Sequence, residues 1–299
     1  MPTLNLDEMK KRAALALERL EACDMCPRDC RANRLANKEG YCRTGRYSLV
    51  SSFGPHFGEE RPLVGREGSG ALFFAGCNLG CVFCQNEDIS HGMKGRAVRD
   101  EELANMFLAL AKYGCHNLNL VTPSHVAPQI LSALALALEN GFNLPVVYNT
   151  GGYDSAETLA LFDGVADIYM PDVKFNDAGV ADRFAQAPDY PQVARAALKE
   201  MHRQVGDLEI DARGIARRGL LVRHLVLPFG LAGTAEVMNF LAAEISPRTY
   251  VNIMGQYRPC FHAYQFDQLS RRPTMVEIDQ AVALAKEAGL TRLDADREQ

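Results

Sequence analysis

Seven of the nine cysteines in this 299-residue chain fall between Cys23 and Cys84, in two groups. Cys23, Cys26, Cys30 and Cys42 form the first, Cys77, Cys81 and Cys84 the second, and Cys115 and Cys260 stand alone. Structural disulfides belong to oxidising compartments, and residues 1 to 22 form an amphipathic, Glu- and Lys-containing segment with no apolar signal-peptide core. The chain therefore reads as cytoplasmic. In a reducing compartment, cysteines at short spacings point to metal binding or redox chemistry. Lys plus Arg number 32 against 37 Asp plus Glu, a net charge of −5, so no basic field is offered to a nucleic acid or an anionic membrane. The longest apolar run, Ile130 to Leu138, is interrupted by Ser132 and is too short to span a bilayer.

The pattern of the chain changes near residue 70. Before it, a helix is expected at Leu6 to Ala22, a Cys-, Arg- and Gly-rich stretch at Cys23 to Arg46, and loops with a short strand at Ser48 to Ser69. After it, Ala71 to Ala75 is a short apolar run bounded by glycine, the mark of a strand buried on both faces. Strands follow at Asn117 to Val121, Pro145 to Tyr148, Asp167 to Met170, Leu220 to Leu227 and Tyr250 to Met254. Helices are expected between them, at Asp100 to Tyr113, Ala127 to Asn140, Ser155 to Phe162, over much of 178 to 205, and at Ala235 to Glu244, with a last one at Val276 to Ala288. About six strands alternating with helices demand parallel pairing, in an open doubly wound sheet or a partial barrel. Both architectures place their chemistry at the C-terminal ends of the strands.

The second cysteine group begins at such an end. Gly76-Cys77-Asn78-Leu79-Gly80-Cys81-Val82-Phe83-Cys84 spaces its thiols C-x3-C-x2-C, directly after the first core strand. Three thiolates on one tight loop can hold three corners of a 4Fe–4S cubane and leave one iron open. A structural zinc site wants four closed ligands, so the alternative is a zinc knuckle completed by His91.

This motif, with the aromatic Phe83 before its last cysteine, resembles the signature of the radical S-adenosylmethionine (SAM) superfamily, and residues 70 to 260 share in the resemblance. It is nearest to the branch around the pyruvate formate-lyase activating enzyme. The resemblance implies that SAM chelates the open iron and is reductively cleaved to methionine and a 5′-deoxyadenosyl radical, which abstracts hydrogen from a substrate. It also implies roles for several strand-end residues. Asn149 and Thr150 end the third strand, and Met170 and Asp172 end the fourth; the matching positions in the activating enzymes hold a monovalent cation, although an Asp is usual where Asn149 stands. Lys174 and Arg223 match cations that face the carboxylate of SAM, a ligand that needs charge-assisted hydrogen bonds in an apolar site. Two departures are visible. Val121-Thr122-Pro123-Ser124-His125 replaces the Gly-Gly-Glu that binds the cofactor's amino group, and Asn252 to Tyr257 lacks an expected histidine.

The first cysteine group supplies four thiolates at C-x2-C-x3-C-x11-C, suited to zinc or to a second 4Fe–4S cluster. Arg28, Arg31, Arg34, Arg43 and Arg46 crowd it; their charge would offset a tetrathiolate site and offer a docking face, against the plainer reading of solvated surface. Among isolated residues, His125 is a candidate acid/base group or a structural histidine. His56 reads as ordering its loop, Tyr257 as packing, Cys115 as an inert thiol and Cys260 as a thiol near the mouth.

The expectation is thus a partial (β/α)6 barrel over 70–299, preceded by a Cys-rich metal module over 1–69. By resemblance the chain is an activating enzyme that abstracts hydrogen from a glycine of a glycyl-radical partner, reduced by a flavodoxin- or ferredoxin-type donor. The alternatives are a radical enzyme acting on a small molecule or peptide, and a non-catalytic zinc- or cluster-binding protein. Neither nucleic acid nor membrane is expected as a partner.

Overall fold

The computed structural model describes residues 4–296. Its strands are β1 (Ser48–His56), β2 (Ser69–Phe74), β3 (Arg96–Val98), β4 (Leu118–Val121), β5 (Val146–Thr150), β6 (Ile168–Pro171), β7 (Glu209–Ile210), β8 (Ala216–Leu225), β9 (Tyr250–Met254) and β10 (Arg292–Asp296). Its helices are α1 (Leu6–Glu18), α2 (Arg61–Val64), α3 (Glu87–Ser90), α4 (Asp100–Lys112), α5 (Ala127–Glu139), α6 (Ala156–Ala160), α7 (Ala178–Ala185), α8 (Tyr190–Val205), α9 (Thr234–Phe240) and α10 (Met275–Glu287).

One sheet runs in the order β10-β9-β8-β6-β5-β4-β2-β1-β3, with β7 beside β8. Seven of these strands, from β10 through β2, pair in parallel. The seventh, β10, adds to the expected six; its Arg-Leu-Asp-Ala-Asp sequence carries little apolar signal because it forms the sheet's edge beside β9. Every residue of β5 and of β6 is buried, as parallel strands covered on both faces require.

The other correction lies at β1. Where loops and a short strand were expected, a nine-residue strand runs antiparallel to β2, with partners from Val50–Phe74 to His56–Ser69. Gly54 and Pro55 hide it from a propensity argument. They are tolerated because β3 pairs only with Ser48 to Val50, so the edge beside Pro55 asks for no N–H. Through β1, residues before 70 share a sheet with residues after it. The outermost residues, 1–3 and 297–299, lie outside the described residues.

Helix α1 starts at the Asn5 cap, whose side chain accepts from the Glu8 N–H, and buries Met9, Ala13 and Ala16. It packs on α5, which explains why α5 is apolar on most of its circumference. No helix among the described residues is long and apolar enough to cross a membrane. A second, smaller core forms around Phe83, whose ring meets Phe175 and Tyr257 edge-on, each at 5.9 Å between centroids. This core lies directly under the Cys77–Cys84 loop.

Candidate active site

A cavity of about 290 Å³ takes wall residues from the C-terminal ends of six parallel strands: Phe74 from β2, Val121 from β4, Thr150 from β5, Asp172 after β6, Leu225 from β8 and Met254 from β9. The sheet must curl to bring six successive ends to one space. Cys77, Cys81 and Cys84 line the same cavity.

The cysteine loop leaves β2 through Gly76, in a left-handed conformation (φ 85°) where a Cβ would stand 2.6 Å from the Cys42 carbonyl oxygen. Only glycine meets both demands. The loop is then fastened like a short strand: Gly80 and Val82 N–H groups donate to the Ala185 and Phe184 carbonyls at 3.0 and 2.9 Å. Asn78 Nδ2 donates to the Tyr153 carbonyl at 2.6 Å. With Phe83 buried beneath it, the loop can turn its sulfurs toward the cavity. The Leu79 N–H points at Cys77 Sγ from 3.4 Å, and Ser90 Oγ lies 3.1 Å from Cys84 Sγ. Burial pushes the Cys77 and Cys81 thiols up to about 12, so as free thiols they stay protonated and only a bound cation makes them thiolates.

A group of charges lines the same cavity. Arg223 Nε donates to Asp172 Oδ1 at 2.6 Å, and its Nη2 to Asn149 Oδ1 at 2.7 Å. Lys174 Nζ donates to Asp172 Oδ2 at 2.5 Å. Burial opposes the charge on Asp172, but Arg223 and Lys174 outweigh it and hold the carboxyl below its usual range. Lys174 also feels Cys81, which places its ammonium on the sulfur side of the cavity.

Residues 72–206 match the family model described as the radical SAM superfamily, a span that opens in β2 and holds all three loop cysteines. The uncharacterized protein MJ0674 of Methanocaldococcus jannaschii is 32% identical over 276 residues, 90% of this chain and 75% of that protein. The chain belongs to the radical SAM superfamily. A radical SAM methyltransferase from Sphaerobacter thermophilus, seen in a crystal structure, shares the fold, with a TM-score of 0.51 at 15% identity over 76% of this chain and 67% of that one.

A radical SAM domain implies a 4Fe–4S cluster and SAM. The donor set fits the cluster: three sulfurs on one loop, a backbone N–H aimed at one of them, and a cavity beside them. Among the described residues no group of His, Cys, Asp and Glu is arranged to hold one metal ion. A cubane spreads its ligands over separate corner irons, so its sulfurs stand farther apart than a single ion allows. His91 stacks on Phe261 at 4.7 Å. The implied monovalent cation does not fit. The guanidinium of Arg223 already takes one oxygen of Asp172 and the Asn149 oxygen that such a cation would use.

Thr150 turns away from this role. Thr150 Oγ1 donates to Asp154 Oδ2 at 2.6 Å and lies 3.1 Å from Ser124 Oγ, while Tyr148 OH holds the other Asp154 oxygen at 3.1 Å. Met170 is fully buried among Val147, Ile168 and Leu221. Asp154 is a buried anchor for the β5 end that sequence reasoning passed over. Its only signal was its place four residues after Thr150.

Glu59 and Glu60 were missed as well. They follow β1 and come within 3.7 and 4.0 Å of Arg223. Asn252 Nδ2 donates to Glu60 Oε1 at 3.2 Å. Thr122 lines the cavity with φ at 62°, a strained conformation for a β-branched residue.

The isolated residues resolve simply. His125 is buried, its Nε2 lying 2.9 Å from the Ala75 carbonyl oxygen, and burial lowers it to about 4. Tyr257 lines the cavity, but its hydroxyl donates to the Leu269 carbonyl at 2.7 Å. Cys115 is buried and Cys260 half-buried. His56 packs edge-on against Phe73.

The arginines near the first cysteine group divide. Arg31 is exposed beside Asp29, as expected of a surface residue. Arg46 instead pairs through both nitrogens with Asp100, at 3.1 and 2.7 Å. Arg34 is fully buried. Arg28 donates to the Asn78 and Gln186 carbonyls and stacks on Tyr41 at 3.9 Å, riveting the N-terminal stretch to the cysteine loop. Sequence reasoning missed these partners because they lie far along the chain.

Proposed function

We propose that this radical SAM protein is an enzyme of hydrogen abstraction whose catalytic 4Fe–4S cluster is held by Cys77, Cys81 and Cys84. The observation that carries the reading is one cavity lined by Cys77, Cys81 and Cys84 together with Lys174 and Arg223. When bound and reduced, the cluster supplies the electron that splits SAM into methionine and a 5′-deoxyadenosyl radical.

The residues of the chain bind, orient and shield. Lys174 and Arg223 stand ready for the carboxylate of SAM, and Asp172 fixes both cations by bonding each of them. A charge-assisted hydrogen bond to such a carboxylate contributes about 1.5–3 kcal/mol. Phe73, Phe74, Ile89, Val121, Leu225 and Met254 give the cavity apolar walls that keep water from a reactive radical. Asp154 holds the β5 end through Thr150, which keeps Asn149 in register with Arg223.

The substrate we infer is a glycine of a glycyl-radical enzyme, with a flavodoxin- or ferredoxin-type protein as reductant. Support comes from the likeness of the strand-end residues Asp172, Lys174 and Arg223, with the Cys77–Cys84 loop, to the activating-enzyme branch. The test is anaerobic incubation of the reduced, reconstituted protein with SAM and a glycyl-radical enzyme. A glycyl doublet in the electron paramagnetic resonance spectrum supports the reading. Formation of 5′-deoxyadenosine without that doublet assigns the chemistry to a small molecule or peptide instead.

A further inference from the structure

Arg34 is an arginine with no exposed surface, and its hydrogen bonds reach no carboxylate. Its Nε donates to the Gly45 carbonyl at 3.2 Å and its Nη1 to the His125 carbonyl at 2.7 Å. Nη1 also lies 3.5 Å from Cys23 Sγ, and Nη2 has no partner at all. A guanidinium cannot shed its proton to escape burial. A buried charge persists only where an opposite charge meets it. The groups able to become anionic beside Arg34 are the cysteines of the first group.

Those four cysteines come together. Cys26 lies within electrostatic reach of Cys23, Cys30 and Cys42. Gly40 passes so close to Cys30 that a Cβ there would collide with its sulfur. Asp29, Arg31 and Arg43 all adopt left-handed backbone conformations, a density of strain that a ligand joining the turns would hold in place.

Their position matters too. Cys42 and Cys77 share the wall of a second cavity of about 320 Å³, which also takes in Tyr41, Arg43 and His91. The Cys42 carbonyl packs against Gly76, and Arg28 ties the two cysteine segments together. The first group is therefore built against the catalytic loop.

We propose that Cys23, Cys26, Cys30 and Cys42 hold a second 4Fe–4S cluster, that Arg34 is its buried counter-cation, and that the cluster abuts the catalytic loop through Cys42 and Gly76. A thiolate-ligated centre is anionic, which answers the unpartnered guanidinium. One feature favours the cluster over zinc: only one C-x2-C pair is present where paired zinc knuckles use two. The inference takes only its neighbouring site from the radical SAM reading.

The experiment separates the two. The full chain carrying Cys77→Ala, Cys81→Ala and Cys84→Ala together is reconstituted anaerobically, and iron, sulfide and zinc are measured beside the unsubstituted chain. The expected result is about four iron and four sulfide in the variant and about twice that in the parent, with no zinc. Stoichiometric zinc, or a variant that keeps its circular dichroism but holds no iron, overturns the proposal. If the variant fails to fold, the parent decides: about four iron rather than eight overturns it. The role of Arg34 is read from redox titration. Arg34→Gln is expected to move one of the two midpoint potentials to a more negative value and leave the other in place, with Arg34→Lys restoring most of the shift. Two unmoved potentials in Arg34→Gln contradict the counter-cation role.

Discussion

Arg223 and Asp172 are joined by a 2.6 Å hydrogen bond, and the same guanidinium reaches Asn149 Oδ1 at 2.7 Å, so the arginine fills the place between two oxygen donors that a monovalent cation would take. Arginine carries its charge on the chain, and no cation need be recruited from solution. Binding of SAM, measured by equilibrium dialysis, is expected to be indifferent to replacing potassium with sodium or choline at constant ionic strength. A tenfold or greater dependence on potassium contradicts this arrangement.

Removing the arginine leaves Asp172 with Lys174 alone. Arg223→Ala is expected to weaken SAM binding by about ten- to a hundredfold, the worth of one charge-assisted hydrogen bond. Lys174→Ala is expected to do the same. Either variant binding SAM as tightly as the parent removes that residue from the carboxylate site.

Phe83 anchors the cysteine loop from below. Phe83→Ala is expected to cost about 3–5 kcal/mol of stability and to lower iron content, because the loop that carries Cys81 and Cys84 loses its buried plug. Urea unfolding and iron analysis check both. Phe83→Leu, which retains most of the volume, is expected to lose less of each.

Burial pushes Glu59 up to about 7, against the pull of Arg223. A carboxyl whose folded-state value lies above its unfolded value binds more protons when folded. Its contribution to stability is present below about pH 4.5 and is lost as the pH rises toward 7. Glu59→Gln keeps the size and removes the titration. The melting temperature of the variant, relative to the parent, is expected to rise between pH 5 and 8. A constant difference across that range excludes the titration of Glu59.

Much of the site was legible because it follows from local order along the chain. The apolar run from Ala71 marks a buried strand, a motif placed one residue beyond it must lie at that strand's end, and Asp172 and Lys174 are polar residues just past another. The contributions of Glu59, Glu60 and Arg34 were not legible. Glu59 and Glu60 sit in a Gly-, Pro- and His-containing segment that reads as a turn, and they reach Arg223 only because β1 joins the sheet beside β2. Arg34 looks like one more surface arginine in a basic stretch, and only the packing of its neighbours encloses it. Both cases turn on contacts across long sequence separations, which residue spacing does not encode.

The most direct test of the central claim is whether the protein cleaves SAM. The anaerobically reconstituted chain is reduced with dithionite, given SAM, and assayed for 5′-deoxyadenosine by liquid chromatography, beside Cys81→Ala prepared identically. The expected result is 5′-deoxyadenosine from the parent and none above background from Cys81→Ala. No product from a parent that carries its iron and sulfide, or equal product from both proteins, contradicts the assignment of catalysis to this cysteine loop.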